Sequence, residues 1–180
     1  SPMNLYLSPN GRIDQPTYWR GVITLFVVSA VISVISAFVS PFLGILGLIV
    51  IWPWIVLHVK RFHDADQTGW ITVGMVVLAI VLSMILSFIL PALFGVDMMA
   101  MQEEMMRDME DMSSSNDPGA VIAASMEASK KISRAQLLPN LLSTAIVTGV
   151  IGFVMSLFKS TPGPNKYGTP PGMAPQDTFA

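Results

Sequence analysis

The run VITLFVVSAVISVISAFV, Val22–Val39, decides the architecture of this chain. It contains no charged residue, and its only polar side chains are the hydroxyls of Thr24, Ser29, Ser33 and Ser36. A helix needs about 20 apolar residues to cross the hydrocarbon of a bilayer, and this run is long enough for one crossing. Three further runs meet the same requirement: Phe42–Leu57, reaching on to His58 or Lys60, then Trp70–Phe94 and Leu137–Phe158. Tyr18, Trp19, Trp52, Trp54 and Trp70 fall near run ends, where amphipathic rings favour the headgroup layer. The polar stretch before Val22 is long and the apolar run outlasts that of a signal peptide, so the first span is expected to be retained.

Composition supports this reading. Of 180 residues, 52% are hydrophobic and only 12% charged, with a mean hydropathy of +0.60; soluble domains carry about 25% charged residues. The charges are also segregated, into Arg12–Arg20, Lys60–Asp66, Asp97–Arg134, Lys159–Lys166 and a lone Asp177. A net charge of −2 argues against nucleic acid as a partner. The absence of cysteine excludes disulfides, thiol catalysis and cysteine-ligated zinc.

Ser40-Pro41 separates the first two spans, which makes them a tight helical pair, and Pro53 predicts a kink in the second. Four spans put both chain ends on one side, together with Arg12, Arg20, Lys60, Arg61, Lys159 and Lys166. Arg107, Lys130, Lys131 and Arg134 lie opposite, so the distribution of basic residues favours cytoplasmic termini. Close packing of spans relies on small residues and hydroxyls. Ser29, Ser33, Ser36 and Ser40 form such a stripe, as do Ala79, Ser83 and Ser87, Gly44 and Gly47, and Ala145, Gly149, Gly152 and Ser156. The alternative for the serines is a polar pathway, as in a small transporter or channel. No ionisable residue is expected within a span, which argues against proton-coupled transport.

The segment 95–136 is too long for a plain loop. Met98, Met101, Met105, Met109 and Met112 recur at helical spacing on one face, while most of the acids fall elsewhere. Ser113–Gly119 reads as a turn, and a second helix is expected over Val121–Ala135. Thioethers suit Cu(I), but nothing in the stretch adds a histidine or cysteine, and a methionine face serves first for packing or for contact with a protein partner. The fold class is therefore all-α: a polytopic membrane protein of four transmembrane helices in a compact bundle. An extramembrane helical hairpin lies between helices 3 and 4. Its parts are 1–94 with three spans, 95–136 with the hairpin, and 137–180 with the fourth span and a proline- and glycine-rich tail.

Three polar motifs share the side of the termini. They are Gly11-Arg12 leading to Tyr18-Trp19, Lys60-Arg61-Phe62-His63-Asp64 leading to Gly69-Trp70, and Thr161-Pro162-Gly163-Pro164-Asn165-Lys166-Tyr167-Gly168. In this order they resemble domain-of-unknown-function family 805, small bacterial inner-membrane proteins, from the N-terminus through all four spans to the tail. The chain departs from the family pattern at Phe62, where leucine is usual, at Asp14–Thr17, and in the length of the methionine-rich segment. The resemblance implies a multi-pass inner-membrane location and no established activity.

The residues themselves offer three functions, of which a structural or partner-binding role leads, ahead of anion binding and of the transporter or channel named above. The methionine face Met98, Met101, Met105, Met109 and Met112 is a candidate surface for a protein partner or a homo-oligomer. Arg12, Lys60, Arg61, His63 and Lys166 are candidates for binding anionic lipid or phosphate, since basic side chains at the cytoplasmic surface each contribute about 1 kcal/mol toward anionic lipid. The bland reading of the same charges is topological, with Asp64 and Asp66 pairing with Lys60, Arg61 or Arg12. A metal bound by His58, His63, Asp64 and Asp66 matches no established spacing. Membrane lipids are the expected partners. No cofactor motif, nucleophile–base pair or phosphate-cradling glycine loop is legible, so no enzyme activity and no metal or cofactor is expected. Thr68 is the expected cap of span three, and the tail is expected to cover Lys60–Asp66.

Overall fold

The computed structural model describes residues 1–172; Asp177 lies outside them. Seven α-helices follow one another: α1 Pro2–Leu7, α2 Gln15–Phe38, α3 Ile51–Asp64, α4 Thr72–Leu93, α5 Met98–Ser113, α6 Pro118–Ala135 and α7 Leu137–Ser156. Two 3₁₀ segments, Pro41–Val50 and Gly69–Ile71, lead into α3 and α4. No strand occurs among the described residues. Four helical stretches are long and apolar enough to cross a membrane: Gln15–Phe38, Pro41–Asp64, Gly69–Leu93 and Leu137–Ser156. Their outer faces carry Phe42, Leu48, Val77, Phe88 and Phe153, all exposed. Apolar surface on that scale is what lipid covers and water does not.

The spans begin and end where local chemistry sets them, which moves two expected boundaries. α2 starts seven residues before Val22 because the Asp14 carboxylate accepts from the Thr17 N–H at 2.9 Å and Pro16 occupies the first turn. Tyr18 and Trp19 are consequently helical and turn inward, which corrects their reading as headgroup anchors. Trp19 lies against α7 where Gly152 leaves room; a Cβ there would clash with the indole. Gly21 does the same for α2 and α3, since its Cβ would meet Leu57 at 2.8 Å. These two contacts bring α2 against α3 and α7, and α7 in turn packs along α4. The other expected small-residue stripes fare differently: Ser83, Ser87 and Gly149 are exposed, with open space above Gly149.

The second span also differs from expectation. Pro53 does not kink a continuous α-helix, because the helix changes type at Val50–Ile51 and Pro53 sits in the first turn of α3, where an N–H has no intrahelical partner. Ahead of it, ten residues form a 3₁₀ helix, long for that geometry. Its period of three stacks Pro41, Gly44, Gly47 and Val50 on one side, and Gly44 lies close to Ser36 of α2. At about 2 Å per residue this stretch covers about 20 Å, and Ile51–Leu57 adds about 10 Å. The sum matches the roughly 30 Å of hydrocarbon that the same residues would fall short of as a plain α-helix. α3 then continues through the basic motif to Asp64, so Lys60, Arg61, His63 and Asp64 belong to a helix end and not to a loop. The expectation that this span holds no ionisable residue fails at that end.

At the opposite end, Asp97 and Asp117 cap α5 and α6 through Ala100 N–H and through Gly119 and Ala120 N–H. The two helices lie against each other. Met98, Met101, Met105, Met109 and Met112 are half-buried on this contact, while Met99 and Met106 on the other side of α5 are exposed. Ser125 Oγ reaches Met109 Sδ at 3.2 Å, Gln136 Nε2 reaches Met98 Sδ at 2.9 Å, and Lys131 pairs with Glu104 at 3.1 Å. α6 is fastened to the end of α2 by Arg134, which donates to Ala37 O at 3.3 Å and lies over the Phe38 ring.

Candidate functional site

The polar residues that matter gather where α3 ends. Asp64, the last residue of α3, is 1% exposed, and its carboxylate joins two guanidinium groups. Oδ1 accepts from Arg12 Nε at 3.0 Å; Oδ2 accepts from Arg61 at 2.7 Å and from Ser160 Oγ at 2.6 Å. Arg12 uses the rest of its fork on carbonyls: Gly163 at 2.9 Å, Gly168 at 3.1 Å, Thr161 at 2.7 Å and Asp64 at 3.4 Å. A guanidinium has five N–H donors, and Arg12 has placed all of them within the chain. Arg61 donates also to Ser160 Oγ and to Phe158 O, leaving its Nε buried without a partner. The three sequence motifs therefore meet, tied together by a buried carboxylate shared between two arginines.

The tail covers this knot, as expected. Thr161 N–H donates to Asp64 O at 2.8 Å, and Asn165 Nδ2 donates to His63 O at 2.9 Å. Asn165 and Gly168 exchange backbone bonds in a turn whose Gly168 has φ +129°, a conformation that favours glycine. His63 stacks on Tyr167 with ring centroids 3.8 Å apart. Its Nδ1–H donates to Gly11 O at 2.9 Å, because a carbonyl can only accept, and the neutral ring then offers Nε2 as an acceptor. Lys166 is exposed, with its ammonium 5.3 Å from the Tyr167 ring. Asp66 sits exposed in the turn after α3, outside the ion pairs. Thr68 caps the next segment by accepting from Trp70 N–H.

Lys60 differs from its neighbours. It is 5% exposed, and its ammonium donates to the carbonyls of Asn4 at 2.8 Å and Leu5 at 3.3 Å. Among the described residues no carboxylate pairs with it. It borders a cavity of about 460 Å³, shared with Asn4, Asn10, Arg12, Tyr167 and Thr169. A second cavity, of about 430 Å³, adjoins the first at Asn10 and Tyr167 and runs between α3 and the start of α4. Trp52, Ile55, Val59, Val73 and Val76 make it largely apolar.

Two polar features escaped sequence reading. Tyr18 donates its hydroxyl to His58 Nε2 at 2.9 Å, while His58 Nδ1–H donates to Trp54 O at 2.7 Å, so the buried histidine is fully used in holding α2 to α3. Ser160, the second partner of Asp64, carried no signal beyond its place near the tail motif. His58 and His63 thus serve separate contacts, and no group of three metal-ligating side chains occurs among the described residues. The serine stripe of α2 borders a smaller cavity of about 200 Å³ with Gln136 and Asn140.

No curated protein and no solved structure matches this chain. A family model described as "Protein of unknown function (DUF805)" matches residues 6–169, which include every member of the knot. The chain, with four helical stretches long and apolar enough to cross a membrane, belongs to the DUF805 family.

Proposed function

We propose that this protein binds an anionic headgroup or phosphate in the cavity beside Lys60, at the cytoplasmic face of a bacterial inner membrane. The observation that carries the reading is the charge state of the site. Burying an ammonium without a counter-charge is costly, and among the described residues Lys60 has carbonyl partners but no carboxylate. Those carbonyls take two of its three ammonium hydrogens. Arg12 and Arg61, also candidates from sequence, act as scaffold in this reading, because both are bound to Asp64, and Arg12 spends all of its donors and Arg61 most of its own within the chain. His63 and Lys166 stand at the rim. Support for the orientation comes from the six basic residues on the side of the termini against four on the side of α5 and α6. The packing of α2 with α3 and α7, and of α7 with α4, supports a bundle with α5 and α6 as a hairpin outside the membrane.

The test is Lys60→Met, which keeps most of the stem and removes the charge. A hydrogen bond to a charged group contributes about 1.5–3 kcal/mol, so affinity for phosphate-bearing probes should fall about 10- to 100-fold. Unchanged binding of inorganic phosphate and of phosphatidylglycerol by the purified variant would end this reading. A second reading, contact with a protein partner, is favoured by Met99, Met106 and Ile122, which are exposed on α5 and α6. It would use these residues and not the inward stripe.

A further inference from the structure

The two adjoining cavities differ in character, and their difference describes a ligand. The first is the more polar of the two and holds the buried Lys60, which no carboxylate pairs among the described residues. The second is a groove whose α3 wall is the stripe Trp52, Ile55, Val59 and His63, and whose α4 wall is Thr72, Val73 and Val76. Its polar end lies at His63, beside the shared residues Asn10 and Tyr167; its far end, at Trp52 and Val76, is apolar except for the indole N–H of Trp52, which donates to Leu7 O at 3.0 Å. From His63 to Trp52 the groove follows α3 for about 16 Å at 1.5 Å per residue, and its Trp52–Leu57 part, about 8 Å, lies within the hydrocarbon. Trp52, Trp70 and Val73 are themselves about half exposed or more on the outer face of the spans, so the groove continues the lipid-facing surface.

We propose that the occupant is an anionic phospholipid, its phosphate at Lys60 and one acyl chain in the groove between α3 and α4. This rests on the reading of Lys60 as an anion site and adds the identity of the anion. Three observations select a lipid over free phosphate. The cation and the apolar groove meet at two shared residues, which a small anion would not need. The polarity falls in one direction along the groove, as it does along an amphiphile. The acceptor left on His63 Nε2 lies at the junction, where the hydroxyls of a glycerol headgroup could donate to it.

The experiment titrates the purified full chain in detergent with three probes and reads bound ligand by native mass spectrometry. The probes are phosphatidylglycerol, phosphatidylcholine of the same chains, and the deacylated headgroup glycerophosphoglycerol. Phosphatidylglycerol should bind at least about 10-fold tighter than its deacylated headgroup, since chain burial adds favourable transfer of apolar surface, and tighter than phosphatidylcholine. Val76→Trp, which fills the groove, should reduce phosphatidylglycerol binding to the level of the deacylated headgroup while leaving the headgroup's own binding unchanged. That unchanged binding also shows that the variant is folded. Equal affinity for phosphatidylglycerol and its deacylated headgroup would overturn the lipid assignment and leave the anion site standing, as would a Val76→Trp protein that binds phosphatidylglycerol normally. Lys60→Met without effect on either probe, or phosphatidylcholine binding as tightly as phosphatidylglycerol, would overturn the anion site itself. If Val76→Trp does not fold, a series of acyl-chain lengths on the unaltered protein decides the same question: affinity that does not rise with length refutes the groove.

Discussion

Replacing Asp64 by asparagine tests the knot on which the whole polar face depends. The carboxylate is 1% exposed and accepts from Arg12, Arg61 and Ser160. An amide keeps the shape and one acceptor, but presents an N–H₂ group to a donor on one side, whichever way it is turned. Both guanidinium groups, each 1% exposed, then lose their only ion-pair partner among the described residues. Breaking a buried ion pair by removing one partner costs about 3–5 kcal/mol. The two pairs share one carboxylate, so their losses do not add, and about 3–5 kcal/mol is the expected total. The assay is reversible unfolding of purified protein in mixed micelles, with Asp66→Asn as the reference. Asp66 is exposed in the next turn, and its change should stay within about 0.5 kcal/mol. A second comparison isolates the coupling: Arg12→Gln should cost less in the Asp64→Asn background than in the unaltered protein. Should Asp64→Asn prove no more harmful than Asp66→Asn, the picture of a buried carboxylate holding three chain segments is wrong.

Three other outcomes follow from the same contacts. Gly152→Leu places side-chain atoms where the Trp19 indole lies, and should destabilise by about 1–3 kcal/mol; Gly149→Leu, facing open space, should be near neutral in the same assay. Met109→Glu puts a charge on the half-buried contact between α5 and α6 and should lower the thermal midpoint, whereas Met99→Glu on the exposed side should not. A loss of a co-purifying protein with Met99→Glu alone would favour the partner reading. Because the chain has no cysteine, single substitutions Glu110→Cys and Gly172→Cys report topology directly. A membrane-impermeant thiol reagent added outside intact cells should label the first and spare the second, and the reverse pattern would invert the assigned orientation.

The membrane character and the four spans were legible from residues alone, because apolarity over a run is additive along the chain and needs no knowledge of neighbours. Of the helix starts, only the cap at Thr68 was expected; those at Asp14, Asp97 and Asp117 are set by equally local chemistry. The methionine period likewise fixed one face of α5, while only the fold decided that α6 covers that face and that Met99 and Met106 remain outside. The depth of the second span depended on a 3₁₀ stretch that α2 permits through Ser36 and Gly44, a contact between residues that no periodicity connects. The polar motifs could be listed from sequence, but not what each charge does. Lys60 and Arg61 are adjacent in the chain, yet point about 100° apart on α3. Arg61 turns toward Asp64 and pairs with it; Lys60 borders a cavity and has no carboxylate partner among the described residues. Arg12 and the Thr161–Gly168 tail lie far from Asp64 in sequence, so their pairing is a property of the tertiary structure, and with it the distinction between a scaffold and a site.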